Sequence, residues 1–210
     1  YYYPEPAEGE PAYVYTYPMS IGRMDWETPL GRTTIVAMAK NPAWYPPQSI
    51  REEHAADGDP LPRVVPPGPD NPLGTRALRL GLPGYLIHGT NAPYGVGMRV
   101  SHGCVRLYPE NIETLYELVA IGESVTIVNE PYQFGQRDGL LYFEAHVPLE
   151  DDELAPEERL TGMLETQVDV RGKPLNEHLR QHVAAIAADP QGVPLVIAYY
   201  DASEYMARAR

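Results

Sequence analysis

Nine prolines fall between Pro42 and Pro72, and they constrain the fold of this 210-residue chain more than any other feature. Proline fixes φ and lacks a backbone N–H, so this segment predicts neither a regular sheet nor a long helix. A structureless stretch of this length inside a compact domain is typical of a functional loop or a linker. We expect an ordered excursion that lies on the domain, because the segment carries apolar side chains to pack with: Trp44, Tyr45, Leu61, Val64 and Val65.

Short β-branched and aromatic runs on both sides of this segment predict strands. These runs cover residues 1–3, 12–17, 33–38, 77–80, 85–87 and 124–128. Turns are expected at 21–22 and 28–31, and a glycine-punctuated loop at 91–97. A helix is expected over 109–119, because a proline starts it and apolar residues recur at helical spacing.

The last third of the chain has its own pattern. We expect a strand over 140–147, an acidic loop over 150–158 that leads into a helix, and a strand over 193–200. Asn176 is a helix N-cap candidate for a helix that runs to Ala188. We therefore expect a mainly β fold with α elements: a β-sandwich-like domain at 1–130 with one main helix after the cysteine, and a C-terminal α/β appendage at 131–210.

Composition limits the partners. The net charge is −13 and the pI is about 4.8. Nucleic acid and anionic membrane surfaces both need basic patches, so neither is an expected partner. No run of apolar residues is long enough for a transmembrane helix, and no signal peptide is expected within the chain. The chain starts without methionine inside an expected strand, which suggests a processed or truncated form.

The strongest chemical motif surrounds the single cysteine, in the run Ser101-His102-Gly103-Cys104-Val105-Arg106-Leu107. A cysteine becomes a nucleophile as the thiolate, which a nearby imidazole or cation favours. His88 and His102 are both candidates for the base. A turn at Gly103 would aim the N–H groups of Gly103 and Cys104 at one point, as an oxyanion hole requires.

A zinc site is the alternative chemistry for the same residues. Thiolate and imidazole suit zinc, with His88, His102 and Cys104 as ligands. A His-x-Cys without a second cysteine pair is weak evidence for a metal, and Arg106 close by would be unfavourable. His178 and His182 lie at helical i, i+4 spacing without an evident third ligand. We expect no metal and no cofactor.

Taken together, His88-Gly89-Thr90-Asn91 and the cysteine run resemble the L,D-transpeptidase catalytic (YkuD-type) family. The upstream stretches at 41–44 and 66–74 resemble its Gram-negative periplasmic branch. The resemblance covers about residues 1–130 and implies a periplasmic location. Members of the family usually begin with a strand or two before the tyrosines at 1–3, so an exposed sheet edge is expected here.

The resemblance implies a role for each residue of the motifs. Cys104 would be the nucleophile, and His88 its base, held in one tautomer by the carbonyl of Gly89. The N–H groups of Gly103 and Cys104 would form the oxyanion hole. His102 and Arg106 would shape the site and hold the donor. The other residues expected to bind substrate are Ser101, Thr90, Asn91 and Arg99.

The resemblance also implies the reaction. The donor would be a peptidoglycan tetrapeptide stem, attacked at the carbonyl of its third residue, diaminopimelate, with release of D-alanine. The thioester would pass to an amine of a second stem, giving a 3-3 cross-link, or to a lysine of an outer-membrane lipoprotein. Two other functions remain open: a cysteine hydrolase of the lipoprotein–peptidoglycan link, and a non-catalytic peptidoglycan-binding module.

Overall fold

The computed structural model describes residues 1–6, 8–9, 13–23, 26–149 and 154–200. The chain divides into two compact units, Tyr1–Ile127 and Val128–Arg210. Strands predominate and helices are few, so the predicted mainly β fold with α elements is confirmed. None of the helices in the described part of the chain has the length and apolar character needed to cross a membrane.

The first unit is built on a seven-stranded mixed sheet. Its strands are β1 (Met19–Gly22), β2 (Gly31–Lys40), β3 (Arg76–Leu80), β4 (Leu86–His88), β5 (Arg99–Ser101), β6 (Val105–Leu107) and β7 (Ser124–Ile127). Their order across the sheet is β5-β1-β6-β4-β3-β2-β7. The strands β4 and β6 are therefore direct neighbours although 16 residues separate His88 from Cys104.

The parallel pairing of β4 with β6 fixes the position of the cysteine motif. Ile87 lies opposite Val105, and His88 lies opposite Arg106. Alternate residues of a strand point to opposite faces, and registered neighbours share a face. The sheet therefore puts His88, Arg106 and Cys104, which comes immediately before β6, on the same face.

The opposite face of this sheet carries the hydrophobic core of the first unit. Helix α2 (Pro109–Leu118) packs there through Ile112, which is fully buried. The predicted helix is confirmed; it begins at its proline, which sits where an N–H is not needed. The buried members of the core are Ile35, Leu78, Leu80, Val105, Leu107 and Ile112.

The proline-rich segment is ordered, as predicted. It contains one short helix, α1 (Gln48–Ala56), and an isolated bridge between Trp44 and Val65. Asn71 is fully buried and ties the segment together, because its amide donates to the carbonyls of Pro42 (2.8 Å), Val65 (3.2 Å) and Pro66 (3.1 Å). Its Oδ1 accepts from the N–H of Leu73 at 2.9 Å.

The second unit has a separate core. It consists of strands β8 (Tyr132–Arg137), β9 (Leu140–Ala145) and β10 (Leu195–Tyr199) with helices α3 (Pro156–Thr166) and α4 (Glu177–Ala188). The sheet is antiparallel in the order β10-β9-β8. The predicted cap of α4 is confirmed: Asn176 Oδ1 accepts from the N–H of Leu179 at 2.9 Å.

Several predicted elements differ from the structure. Ile21-Gly22 was predicted as a turn, but it ends β1, because Ile21 pairs with Arg99 of β5. The tyrosine runs near the N-terminus form only one bridge, between Tyr2 and Tyr15. Strand β8 was not predicted, and a 3-10 turn (Pro93–Gly95) interrupts the predicted loop. Residues 150–153 of the predicted acidic loop lie outside the described residues.

Candidate active site

A tight turn at Gly103 presents the cysteine. Gly103 has φ +93°, a region that favours glycine, and an added Cβ would lie 2.8 Å from Cε1 of Tyr85. The hydroxyl of Ser101 donates to the carbonyl of Cys104 at 2.5 Å, and Thr28 Oγ1 donates to the carbonyl of Gly103 at 3.0 Å. The turn is therefore held at two carbonyls, while the N–H groups of Gly103 and Cys104 make no hydrogen bond to a described protein acceptor.

His88 is buried and locked in one tautomer. Its Nδ1 lies 2.6 Å from the carbonyl oxygen of Gly89. A carbonyl only accepts, so Nδ1 carries the proton and Nε2 is left as the acceptor nitrogen of the neutral ring. Burial lowers the pKa of His88 to about 4, and the charge of Arg106 on the neighbouring strand acts in the same direction.

Cys104 is partly buried, and its sulfur lies 3.7 Å from the carbonyl oxygen of Gly84. Burial raises the pKa of the Cys104 thiol, and the N–H of Leu86 and the charge of Arg106 oppose that shift only in part. The free site therefore holds a neutral thiol beside a neutral imidazole. A resting thiolate, which the sequence suggested, is disfavoured by this burial, so the sulfur must lose its proton during the reaction.

Arg106 supplies an unpaired positive charge. Its Nε is buried and has no hydrogen-bond partner among the described residues. Burial lowers the pKa of Arg106, and the neighbouring Cys104 and Tyr94 act in the opposite direction. A guanidinium remains charged in proteins, so a substrate carboxylate would satisfy it by a paired, charge-assisted contact.

His102 faces a different set of groups from His88. Its Nε2 lies 3.0 Å from Oε2 of Glu53 on α1, and its ring meets the ring of Trp26 edge-on at 5.2 Å between centroids. The other oxygen of Glu53 accepts a hydrogen bond from Arg23.

A pocket of about 280 Å³ opens beside His102 and Arg106. The proline-rich segment forms its other walls, through Trp44, Ile50, His54, Leu61, Val65, Asp70 and Pro72. This pocket combines an apolar floor with charged groups, as sites for peptide ligands commonly do.

The model of the L,D-transpeptidase catalytic domain (YkuD) matches residues 6–127, which is most of the first unit. The chain belongs to this family. Probable L,D-transpeptidase YbiS of Escherichia coli is 45% identical over 155 residues, which cover 73% of this chain and 49% of YbiS. Probable L,D-transpeptidase YcfS of the same organism is 44% identical over 72% of this chain and 48% of YcfS. The chain thus spans about half the length of the curated relatives it matches.

Solved structures also resemble this L,D-transpeptidase domain. An L,D-transpeptidase from Mycobacterium smegmatis aligns with a TM-score of 0.44 at 24% identity. The alignment covers 58% of this chain and 51% of the mycobacterial chain.

The remaining predicted site residues of the L,D-transpeptidase domain fall into two groups. Ser101 and Thr90 are buried, and their hydroxyls bond to the main chain, Thr90 Oγ1 accepting from the N–H of Ala92 at 2.9 Å. We propose that both order the loops instead of touching substrate. Asn91 is exposed, and Arg99 reaches the carbonyl of Gly22 at 3.5 Å. Among the described residues, no three His, Cys, Asp or Glu side chains cluster as metal ligands would.

Sequence reasoning missed the residues that support the cysteine turn from a distance. These are Arg23, Thr28, Glu53 and Tyr85. Glu53 is 49 residues from His102 in the chain, and no local spacing links the two. The usable signal was that the proline-rich segment had apolar residues to pack with, which implied that something on it would lie against the domain.

Proposed function

We propose that the first unit is an L,D-transpeptidase in which Cys104 is the nucleophile and His88 the general base. The observation that carries this proposal is the pair formed by the neutral thiol of Cys104 and His88, whose Nδ1 is committed to the Gly89 carbonyl. An imidazole fixed in this way offers Nε2 as its only proton acceptor. The unused guanidinium of Arg106 on the same face adds a site for a substrate carboxylate.

The first half-reaction forms a thioester. Nε2 of His88 takes the thiol proton while Sγ attacks the carbonyl carbon of the third residue of a peptidoglycan tetrapeptide stem. The tetrahedral oxyanion accepts hydrogen bonds from the N–H groups of Gly103 and Cys104. When the intermediate collapses, the C–N bond to D-alanine breaks, and the imidazolium of His88 returns its proton to the leaving amine.

The second half-reaction reverses these roles. An acceptor amine loses a proton to Nε2 of His88, attacks the thioester carbon and expels the Cys104 sulfur, which regains the proton. The acceptor we propose is the amine of a second stem or of a lipoprotein lysine. Water in the same position would give hydrolysis. The compartment we propose is the periplasm, where such stems are found.

The test is covalent capture of the sulfur by a carbapenem. The protein should gain the mass of one carbapenem, and Cys104→Ala should lose this shift. His88→Ala should slow adduct formation by about 10²- to 10⁴-fold, the usual effect of removing a general base. His182→Ala is the control, because His182 is an exposed histidine of the second unit. A mass shift that persists in Cys104→Ala would reject the nucleophile.

The acceptor is tested by muropeptide analysis of sacculi treated with the protein. A 3-3 cross-linked dimer supports stem transfer, and gain of lipoprotein supports transfer to lysine. Loss of lipoprotein from sacculi that already carry it would instead favour the hydrolase. Unchanged sacculi together with an unreactive Cys104 would favour the binding module.

A further inference from the structure

Helix α1 touches the cysteine motif through one carboxylate. Glu53 receives hydrogen bonds from two sides: Arg23 donates to Oε1, and His102 Nε2 lies 3.0 Å from Oε2. The Arg23 main chain also donates to the carbonyl of Ser101 at 3.0 Å, at the start of the same motif. The three side chains thus join the proline-rich segment to both flanks of β1 and β5.

The carboxylate determines the tautomer of His102. Arg23, and then His102, hold the pKa of Glu53 below its usual range, so Glu53 is ionised and can only accept. The proton of the neutral His102 ring must therefore sit on Nε2. His88 has the opposite arrangement, because the Gly89 carbonyl keeps its proton on Nδ1.

We propose that Glu53 is a positioning residue for the transfer reaction: it holds the His102 ring against Trp26, keeps its Nε2 proton-bearing, and so steadies the His102-Gly103-Cys104 turn. The inference rests on the proposed function. It makes α1 a working part of the site, and it explains why His102, the histidine nearer to Cys104 in sequence, does not act as a base through Nε2. A 1 Å displacement of a reacting group can cost about 10²-fold in rate, so the support of this turn has kinetic consequences.

The kinetic test compares two neighbouring glutamates. Glu53→Gln keeps the shape but removes the charge, and an amide can either donate or accept. Glu52→Gln is the matched control, because Glu52 is exposed and accepts from Gln48 of its own helix at 2.6 Å. We expect Glu53→Gln to slow carbapenem adduct formation at Cys104 by about 10- to 100-fold, and Glu52→Gln to change it by less than about twofold, a surface substitution away from the site having little effect. Equal rates in the two variants would overturn the proposal.

A second measurement reads the tautomer without using activity. Nitrogen-15 spectra of histidine-labelled protein at about pH 8.5, where an ordinary imidazole is neutral, separate the two tautomers. The signal of His102, assigned with His102→Gln, should show the Nε2-protonated form in the natural protein and in Glu52→Gln, and a mixture in Glu53→Gln. The same mixture in all three proteins would overturn the proposal.

The two readouts also separate this inference from the proposed function. If Cys104 forms no adduct in the natural protein, the proposed function fails, and the tautomer spectra still decide whether Glu53 fixes His102. Tryptophan fluorescence confirms folding of each variant, since both tryptophans, Trp26 and Trp44, lie in the first unit.

Discussion

At the scale of single residues, the two histidines next to the nucleophile differ in what they contact. The Gly89 carbonyl accepts from Nδ1 of His88, and the Glu53 carboxylate faces Nε2 of His102. The partners therefore place the ring protons on opposite nitrogens. This difference assigns the base more firmly than the spacing of the two histidines from Cys104 does.

The low pKa of His88 predicts the pH dependence of adduct formation. The base must be neutral, and burial lowers its pKa from 6.5 to about 4. We expect the rate of carbapenem adduct formation at Cys104 to stay nearly level from about pH 8 down to about pH 5 and to fall below that, near the pKa of about 4. Rates measured by mass spectrometry across this range test the expectation. A fall centred near 6.5 would show that His88 titrates as an ordinary histidine.

Acid unfolding is the necessary control for this experiment. Between the pKa of 6.5 in the unfolded chain and about 4 in the folded protein, the unfolded state binds more protons, so stability rises with pH over this window. Protonation of His88 alone removes about 3 kcal/mol as the pH falls below about 4. Tryptophan fluorescence recorded at each pH separates a folded protein with a protonated base from an unfolded one.

Part of the site could be predicted from the sequence, and the rest could not. Cys104, His88 and the Gly89 carbonyl belong to two short motifs, so their positions follow once the motifs are paired. Glu53 and Thr28 act through contacts 49 and 75 residues apart in the chain, which only the folded sheet brings about. The pKa of Cys104 could not be predicted either, because burial, which raises it, depends on the loops packed around the sulfur.

At the scale of elements, the proline-rich segment is organised by one buried side chain instead of by repeated backbone pairing. Prolines provide few N–H donors, so the carbonyls of Pro42, Val65 and Pro66 depend on the amide of Asn71. Since α1 and most of the pocket walls belong to this segment, the order of the site depends on Asn71.

Replacing Asn71 should therefore destabilise the first unit. Asn71→Ala leaves three carbonyls and the N–H of Leu73 without their partner, and a buried unsatisfied group costs about 1–3 kcal/mol. We expect a loss of about 3 kcal/mol in urea unfolding followed by tryptophan fluorescence, which reports the first unit. Asp70→Ala is the matched control, since Asp70 is the exposed neighbour and should change stability by less than about 0.5 kcal/mol. Similar losses in the two variants would contradict this account.

The other elements show which sequence signals suffice. Helices α2 and α4 are predictable because a proline or Asn176 marks their start and apolar residues recur at helical spacing. Strand β1 is not, because the sequence Ile21-Gly22 resembles a turn. The glycine is required there for another reason: an added Cβ would lie 1.8 Å from the carbonyl oxygen of Trp26.

At the scale of the whole molecule, the two units have separate hydrophobic clusters. The buried core around Ile112 draws only on the first unit, and the buried core around Phe143 and Val183 draws only on the second. The match to the L,D-transpeptidase family ends at Ile127, where the first unit also ends. Every residue to which we assign a role in the transfer reaction lies before that point.

We therefore predict that the first unit reacts without the second. A fragment of residues 1–130 should form the carbapenem adduct at Cys104 within about threefold of the full chain's rate, since less than 1.4 kcal/mol separates rates that differ by under tenfold. Val183→Asp in the full chain is an independent version of this experiment, because it puts a charge at a position with 0% exposure and so disrupts only the second core. Mass spectrometry gives the rates, and the fluorescence of Trp26 and Trp44 shows whether the first unit is folded. A folded fragment that no longer reacts, with the same loss in Val183→Asp, would mean that the second unit supports the chemistry of Cys104.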